Sequence, residues 1–229
     1  MFVEKYLQEL RRARFAPRAL ARYVHLSARQ SLEAGLLRNK ALRGLTLVGA
    51  SLLAFNLGLA LYVLSALDHE TARELFLGMT FWLAGTLVWI LLHLGMMRDA
   101  ENLPATGIGI PNTITVVRLL SIPAFFTFMT HEYVFAGTLA FVLGGCTDVL
   151  DGWVARHVGP RTHLGRMMDP MVDVLFNCGA VLTFALCDFI PWWLFVLVWV
   201  RYALLTFGAT WIYLFRGPIR VEPTLLGRV

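Results

Sequence analysis

Charge is scarce in this chain. Asp, Glu, Lys and Arg make up 15% of its 229 residues and 58% are hydrophobic, whereas a soluble domain carries about 25% charged residues. Runs of about 20 apolar residues recur instead, the length at which a helix crosses a bilayer. Most of these runs are apolar all round rather than on one face, which excludes a soluble bundle of amphipathic helices. Cysteine is scarce too. Cys146, Cys178 and Cys187 lie in or beside apolar runs with no C-x-x-C pair, so they read as small buried packing residues. Internal repeats and low-complexity tracts are lacking. A cleavable leader is not expected, because roughly forty polar and basic residues come before the first apolar run.

What is present is an all-α pattern, a polytopic helical bundle integral to a membrane. Six spans are expected, at about 44–66, 75–97, 111–130, 133–156, 165–188 and 192–215. Residues 1–43 hold ten basic and three acidic side chains. Nucleic acid is a weaker partner for them than anionic lipid, since the segment runs straight into a span; setting topology alone would account for the charge equally well. By the positive-inside rule this end is cytoplasmic. Counting across, "LDHETARE" (67–74), "THEY" near Glu132 and "CDFIPWW" near Asp188 face outward. The basic loop "RHVGPRTH" and the tail "FRGPIRVEPTLLGRV" face inward, so charge bias and count agree. Asn56, polar within the first span, reads as a contact between helices.

Four carboxylates stand out at the inward end of the fourth and fifth spans. Asp148 and Asp151 are three apart and Asp169 and Asp173 four apart, so each pair shares a helix face. Gly159 and Pro160 turn the chain between them, and antiparallel return lets all four meet near the cytoplasmic mouth. Such a group repels itself unless protonated or neutralised, and charge inside a bilayer is expensive. Two divalent cations would offset it, and oxygen-only ligands suit Mg²⁺, Mn²⁺ or Ca²⁺ rather than zinc. His157 and His163 flank the set as headgroup-facing polar residues. Gly152 and Gly165 beside the acids fit either close helix packing or a bulky ligand against the backbone.

These residues spell D-x2-D-G-x2-A-R-x8-G-x3-D-x3-D, with Ala155 and Arg156 completing the pattern. This resembles the signature of the CDP-alcohol phosphatidyltransferase family. "PNTITVVRLLSIP" (111–123) resembles the first core helix of that family, and "PTLLGRV" resembles the loop before its fifth, with Arg228 in place of the usual lysine. The resemblance implies that Asp148, Asp151 and Asp169 hold metal, Mg²⁺ or Mn²⁺. It implies that Asp173 also touches the metal and acts as general base. Gly152, Ala155 and Gly165 would shape the cytidine diphosphate pocket, with Asn112, Thr115, Arg118 and Arg156 near the nucleotide or acceptor. Arg201, alone in "LFVLVWVRYALLTFG", either pairs with an aspartate of the cluster or binds an acceptor phosphate, and its match to a family arginine favours the second.

The resemblance therefore implies transfer of a phosphatidyl group from CDP-diacylglycerol to a small polar alcohol, with release of CMP. It implies a bacterial cytoplasmic membrane, a cytosolic site and a homodimer. Asp169 followed by Pro170 leans toward the glycerol 3-phosphate branch. Alternatives are a CDP-choline or CDP-ethanolamine type of phosphotransferase acting on diacylglycerol and an inactive metal-binding scaffold. The expected organisation is a basic segment (1–43), two extra spans (44–97) and the family core (98–229). Only four core helices follow Ile110, where the family has six, so the core is expected to stop short at its C-terminus.

Overall fold

A computed structural model of the chain describes residues 39–93, 108–157 and 162–216, with isolated positions between 16 and 29. Six long helices follow one another: α1 (Asn39–Ala66), α2 (His69–Leu92), α3 (Ile110–Thr130), α4 (Val134–His157), α5 (His163–Leu186) and α6 (Trp192–Arg216). Strands are absent among the described residues. The architecture is the expected all-α membrane bundle. Four of the helices, over 42–66, 69–92, 110–130 and 167–186, are long and apolar enough to cross a bilayer, while α4 and α6 supply shorter apolar stretches over 134–150 and 192–208. The basic N-terminal segment and the loop at 158–161 lie outside the described residues.

The chain divides into two compact units, residues 27–195 and residues 1–26 with 196–229. In the first, α3 is the hub. Two thirds (67%) of its apolar window is buried, against 22–28% for α1, α2 and α5. It packs against α2, α4 and α5. Close approach requires small residues on the neighbours, since apolar burial alone drives little association in lipid. At Gly144 of α4, a Cβ would collide with Ser121 Oγ of α3 and with the Phe176 ring of α5. The outer faces carry exposed Phe55, Phe81 and Phe135, which suits a lipid surroundings and would be an aggregation hazard in water. Cys146 is exposed and Cys178 and Cys187 half-buried, all as free thiols. The expectation of buried packing therefore fails for Cys146, whose helix turns that face away from α3.

The second helix begins earlier than its apolar run suggests. The expected outward loop over 67–74 shrinks to Leu67 and Asp68, because Asp68 caps α2 by accepting from Thr71 N at 2.8 Å and Thr71 Oγ1 at 2.7 Å. That cap carries polar "HETARE" into the helix. Tyr133, in the turn between α3 and α4, donates its hydroxyl to Asp68 Oδ2 at 2.8 Å, and His131 lies 2.9 Å from Glu74. These contacts tie the α1–α2 turn to the α3–α4 turn. They hold the Asp68 carboxyl well below its usual range, chiefly through its Thr71 bonds, and raise the Tyr133 hydroxyl. Deeper in the bundle, Asn56 of α1 donates to Phe76 O at 3.1 Å and Thr80 Oγ1 at 3.0 Å on α2. It is the interhelical contact its position suggested.

Candidate functional site

The site is built from the first three turns of α3. Gly109 caps the helix at φ 77°, a left-handed conformation that glycine adopts freely. Pro111 occupies the first turn, where its missing N–H has no helical partner to lose. Asn112, Thr115 and Arg118 then recur every three residues along one face, and all three are buried.

Each member of this stripe meets the residues flagged on α4 and α5. Asn112 donates to Ile108 O at 2.6 Å and to Thr162 Oγ1 at 3.0 Å. Thr162 in turn caps α5, accepting from Gly165 N at 3.1 Å. A Cβ at Gly165 would run into Asn112 Oδ1, so glycine is what lets the beginnings of α3 and α5 meet. Thr115 Oγ1 lies 3.0 Å from Pro111 O and 3.3 Å from Asp169 Oδ1.

Arg118 is the centre. Its Nη1 donates to Asp173 Oδ1 at 2.6 Å, its Nη2 lies 2.9 Å from Asp148 Oδ1, and its Nε donates to Thr147 Oγ1 at 3.2 Å. The guanidinium side chain is 2% exposed, while those of Asp148 and Asp173 are 65% and 49% exposed. A flat fork with fixed donors suits this bridging, where a lysine ammonium would not. One buried cation thus draws carboxylates from α4 and α5 to one point and leaves their other sides accessible.

Asp148, Asp169, Asp173, Asn112, Thr115, Arg118 and Gly165 accordingly gather at one end of the first unit. Asp151, Gly152, Ala155 and Arg156 continue along α4, with side chains outside the described residues. Arg201 belongs to the second unit, where it is exposed with its guanidinium 5.9 Å from the Tyr202 ring centroid. The partner expected to neutralise the aspartates was a metal; Arg118 supplies part of that charge. Thr147 and Thr162 were not singled out from sequence. A threonine just before an apolar run is a helix-start signal and would have found Thr162.

Among the described residues no three His, Cys, Asp or Glu side chains are grouped to hold a metal ion, and the side chain of Asp151 lies outside that description. The donor chemistry nonetheless fits a hard divalent cation. The set offers carboxylate oxygens only, and its four acids exceed the single Arg118 charge.

Two apolar cavities adjoin this end. The larger, about 730 Å³, lies between α1, α3 and α4 and reaches Ser121, Gly144 and Thr147. The smaller, about 290 Å³, lies between α2, α3 and α5, with Trp82, Leu119, Met168 and Val172 in its wall.

A model of the CDP-alcohol phosphatidyltransferase family matches residues 108–223. A putative cardiolipin synthase of Mycobacterium tuberculosis is 32% identical over 120 residues, which cover 52% of this chain and 57% of that protein. A CDP-diacylglycerol–glycerol-3-phosphate 3-phosphatidyltransferase of Bacillus subtilis is 27% identical over 104 residues, 39% of this chain and 54% of that protein. A CMP-forming cardiolipin synthase of Streptomyces coelicolor is 30% identical over 103 residues, 42% of this chain and 47% of that protein. The chain spans about half the length of the curated relatives it matches. No solved structure matches it. The family match opens at Ile108, the residue before the cap of α3, and takes in every aspartate of the cluster together with Arg118; the chain belongs to the CDP-alcohol phosphatidyltransferase family.

Proposed function

We propose that this chain transfers a phosphatidyl group from CDP-diacylglycerol to the hydroxyl of a small polar acceptor, glycerol 3-phosphate first among them, and releases CMP. The observation that carries the reading is the Arg118 bridge, which brings Asp148 of α4 and Asp173 of α5 together inside the matched family region. The mixture of cardiolipin synthases and glycerol-3-phosphate transferases among the relatives supports phosphatidyl transfer over the choline or ethanolamine type.

Asp173 is the base in this reading. Half-exposed and held through one oxygen by Arg118, it accepts the proton of the acceptor hydroxyl. The acceptor oxygen bonds to the phosphorus bearing the diacylglycerol, the pyrophosphate bond breaks, and CMP leaves with the bridging oxygen. Asp148, Asp151, Asp169 and Asp173 are the residues that would hold Mg²⁺ or Mn²⁺. Bound there, the cation supplies electrostatic stabilisation to the pyrophosphate and departing CMP. Arg118 keeps two carboxylates in fixed rotamers, and Thr115 does the same for Asp169. Positioning of this kind is the main source of rate in phosphoryl transfer. Gly152, Ala155 and Arg156 are assigned to the nucleotide side, and Arg201 to a phosphate on the acceptor. The excess of basic residues ahead of α1 supports a site on the cytosolic face.

The test is CMP release by membranes containing the chain, supplied with CDP-diacylglycerol and Mg²⁺ or Mn²⁺. Glycerol 3-phosphate, inositol phosphate, inositol, serine and phosphatidylglycerol are offered singly. Release that depends on one acceptor supports the proposal and names the substrate. No release with any of them, from protein shown to be folded, would overturn it.

A further inference from the structure

Helix α1 lies wholly outside the family match, which begins at residue 108, yet it closes the larger cavity. Leu52, Phe55, Leu59 and Tyr62 of α1 face Val117 and Leu120 of α3 and Leu143 of α4 across it. Two of the hydroxyls in this otherwise apolar lining lead to one place. Ser121 Oγ donates to Arg118 O at 2.6 Å, and Thr147 Oγ1 accepts from Arg118 Nε at 3.2 Å. From Val117 the groove follows α3 to Phe128, eleven helical rises or about 16 Å. That is close to the depth of one leaflet of hydrocarbon, half of about 30 Å. Its flank carries exposed Phe55, Tyr62 and Phe135, so a chain in the bilayer can enter sideways.

We infer that α1 forms one wall of a groove for an acyl chain of the CDP-linked lipid substrate, the chain lying along α3 and α4 with its headgroup end at Thr147 and Arg118. The identity of that headgroup rests on the proposed function; the groove itself rests on its continuity with the carboxylate cluster. An ordinary boundary lipid keeps its headgroup at the membrane surface. A lipid whose headgroup is at Asp148 has its tail at the mouth of this groove. The first helix ahead of the core is then part of the lipid site rather than a plain anchor.

The experiment uses the full chain in phosphatidylcholine nanodiscs and CDP-diacylglycerol with a photoreactive diazirine in mid-chain. Illumination is expected to label α1, and excess unlabelled CDP-diacylglycerol to abolish the labelling while excess phosphatidylcholine leaves it. Labelling of α1 that CDP-diacylglycerol does not reduce would mark boundary lipid and overturn the inference. So would labelling confined to α2 and α5 around the smaller cavity. In a second arm, Leu59→Trp fills the groove from α1. It is expected to raise KM for a long-chain donor about tenfold with kcat unchanged, and to make no difference with a dihexanoyl donor that does not reach it. Equal losses with both donors, or none with either, would count against the groove. Because labelling needs no turnover, competed labelling of α1 without any CMP release would keep the groove and remove the transfer reaction. CMP release with no labelling of α1 would do the reverse.

Discussion

Replacing Arg118 by methionine would leave Asp148 and Asp173 facing each other without the charge between them. Hydrogen bonds to charged groups contribute about 1.5–3 kcal/mol, and breaking a pair on its buried side strands the remaining charges. Arg118→Met should therefore lower stability by about 2–3 kcal/mol, read as a fall in Tm in nanodiscs, with Arg118→Lys in between because an ammonium lacks the fork. Asp173→Asn keeps an oxygen for Arg118 and removes the base. It should cut CMP release by about 10²–10⁴-fold with a smaller Tm shift than Arg118→Met; undiminished release would remove Asp173 as base. Gly165→Ala should destabilise by about 1–3 kcal/mol through overpacking against Asn112, and by less in an Asn112→Ala background. Equal costs in both backgrounds, measured as a double-mutant cycle, would place the clash elsewhere. The aspartates were legible because their spacing fixes helix faces. Arg118 and Arg201 were not separable in the same way. Both are lone arginines in apolar helices, and burial against Asp148 and Asp173, a property of three helices at once, distinguishes the first from the exposed second.

Element boundaries show the same division between what a pattern carries and what a contact decides. Apolar runs locate all six helices, since length and hydropathy are local properties. The start of α2 was misplaced because its first turn is polar and its cap is a side chain bonded to backbone, although Asp68 three residues before Thr71 carries that signal in principle. The same aspartate joins two helical turns, and the join has a pH signature. In the folded chain Asp68 is held below the ordinary carboxylate value of 3.8, so its contribution is complete above that value and lost as pH falls toward the lowered one. Tyr133 is raised above its ordinary 10.0, so its contribution is complete below pH 10.0 and lost as pH climbs through the raised value. The Tm difference between wild type and Tyr133→Phe should consequently be widest from about pH 5 to pH 9 and narrow at both ends. A difference independent of pH would show that the hydroxyl does not couple to Asp68. Glu74 and His131 at the same turn are partly exposed, so their pairing should be weak and sensitive to salt.

On the scale of the whole molecule, the first unit has two polar ends separated by apolar helix. One carries Asp148, Asp169, Asp173 and Arg118. The other carries Asp68, Tyr133, Glu74 and His131, and among the described residues hydroxyls and amides such as Thr80 and Asn56 interrupt the helices between. Charges at the two ends of a bundle belong on opposite faces of the bilayer, because transfer through the hydrocarbon is costly for any ionised side chain. The proposed orientation puts the basic residues ahead of α1 in the cytosol: an odd number of crossings separates them from Asp68, and an even number from the start of α3. Glu132, exposed in the α3–α4 turn at φ 65°, is the position that tests this. In a chain with Cys146, Cys178 and Cys187 replaced by serine or alanine, Glu132→Cys should react with a membrane-impermeant maleimide added to intact cells. A cysteine placed in the basic N-terminal segment should react only after the cells are opened. Reaction of the N-terminal cysteine in intact cells, with Glu132→Cys protected, would invert the bundle and turn the carboxylates away from the cytosol. The proposed use of a cytosolic acceptor would fall with that result, whereas the Arg118 bridge and the groove beside α1 would not.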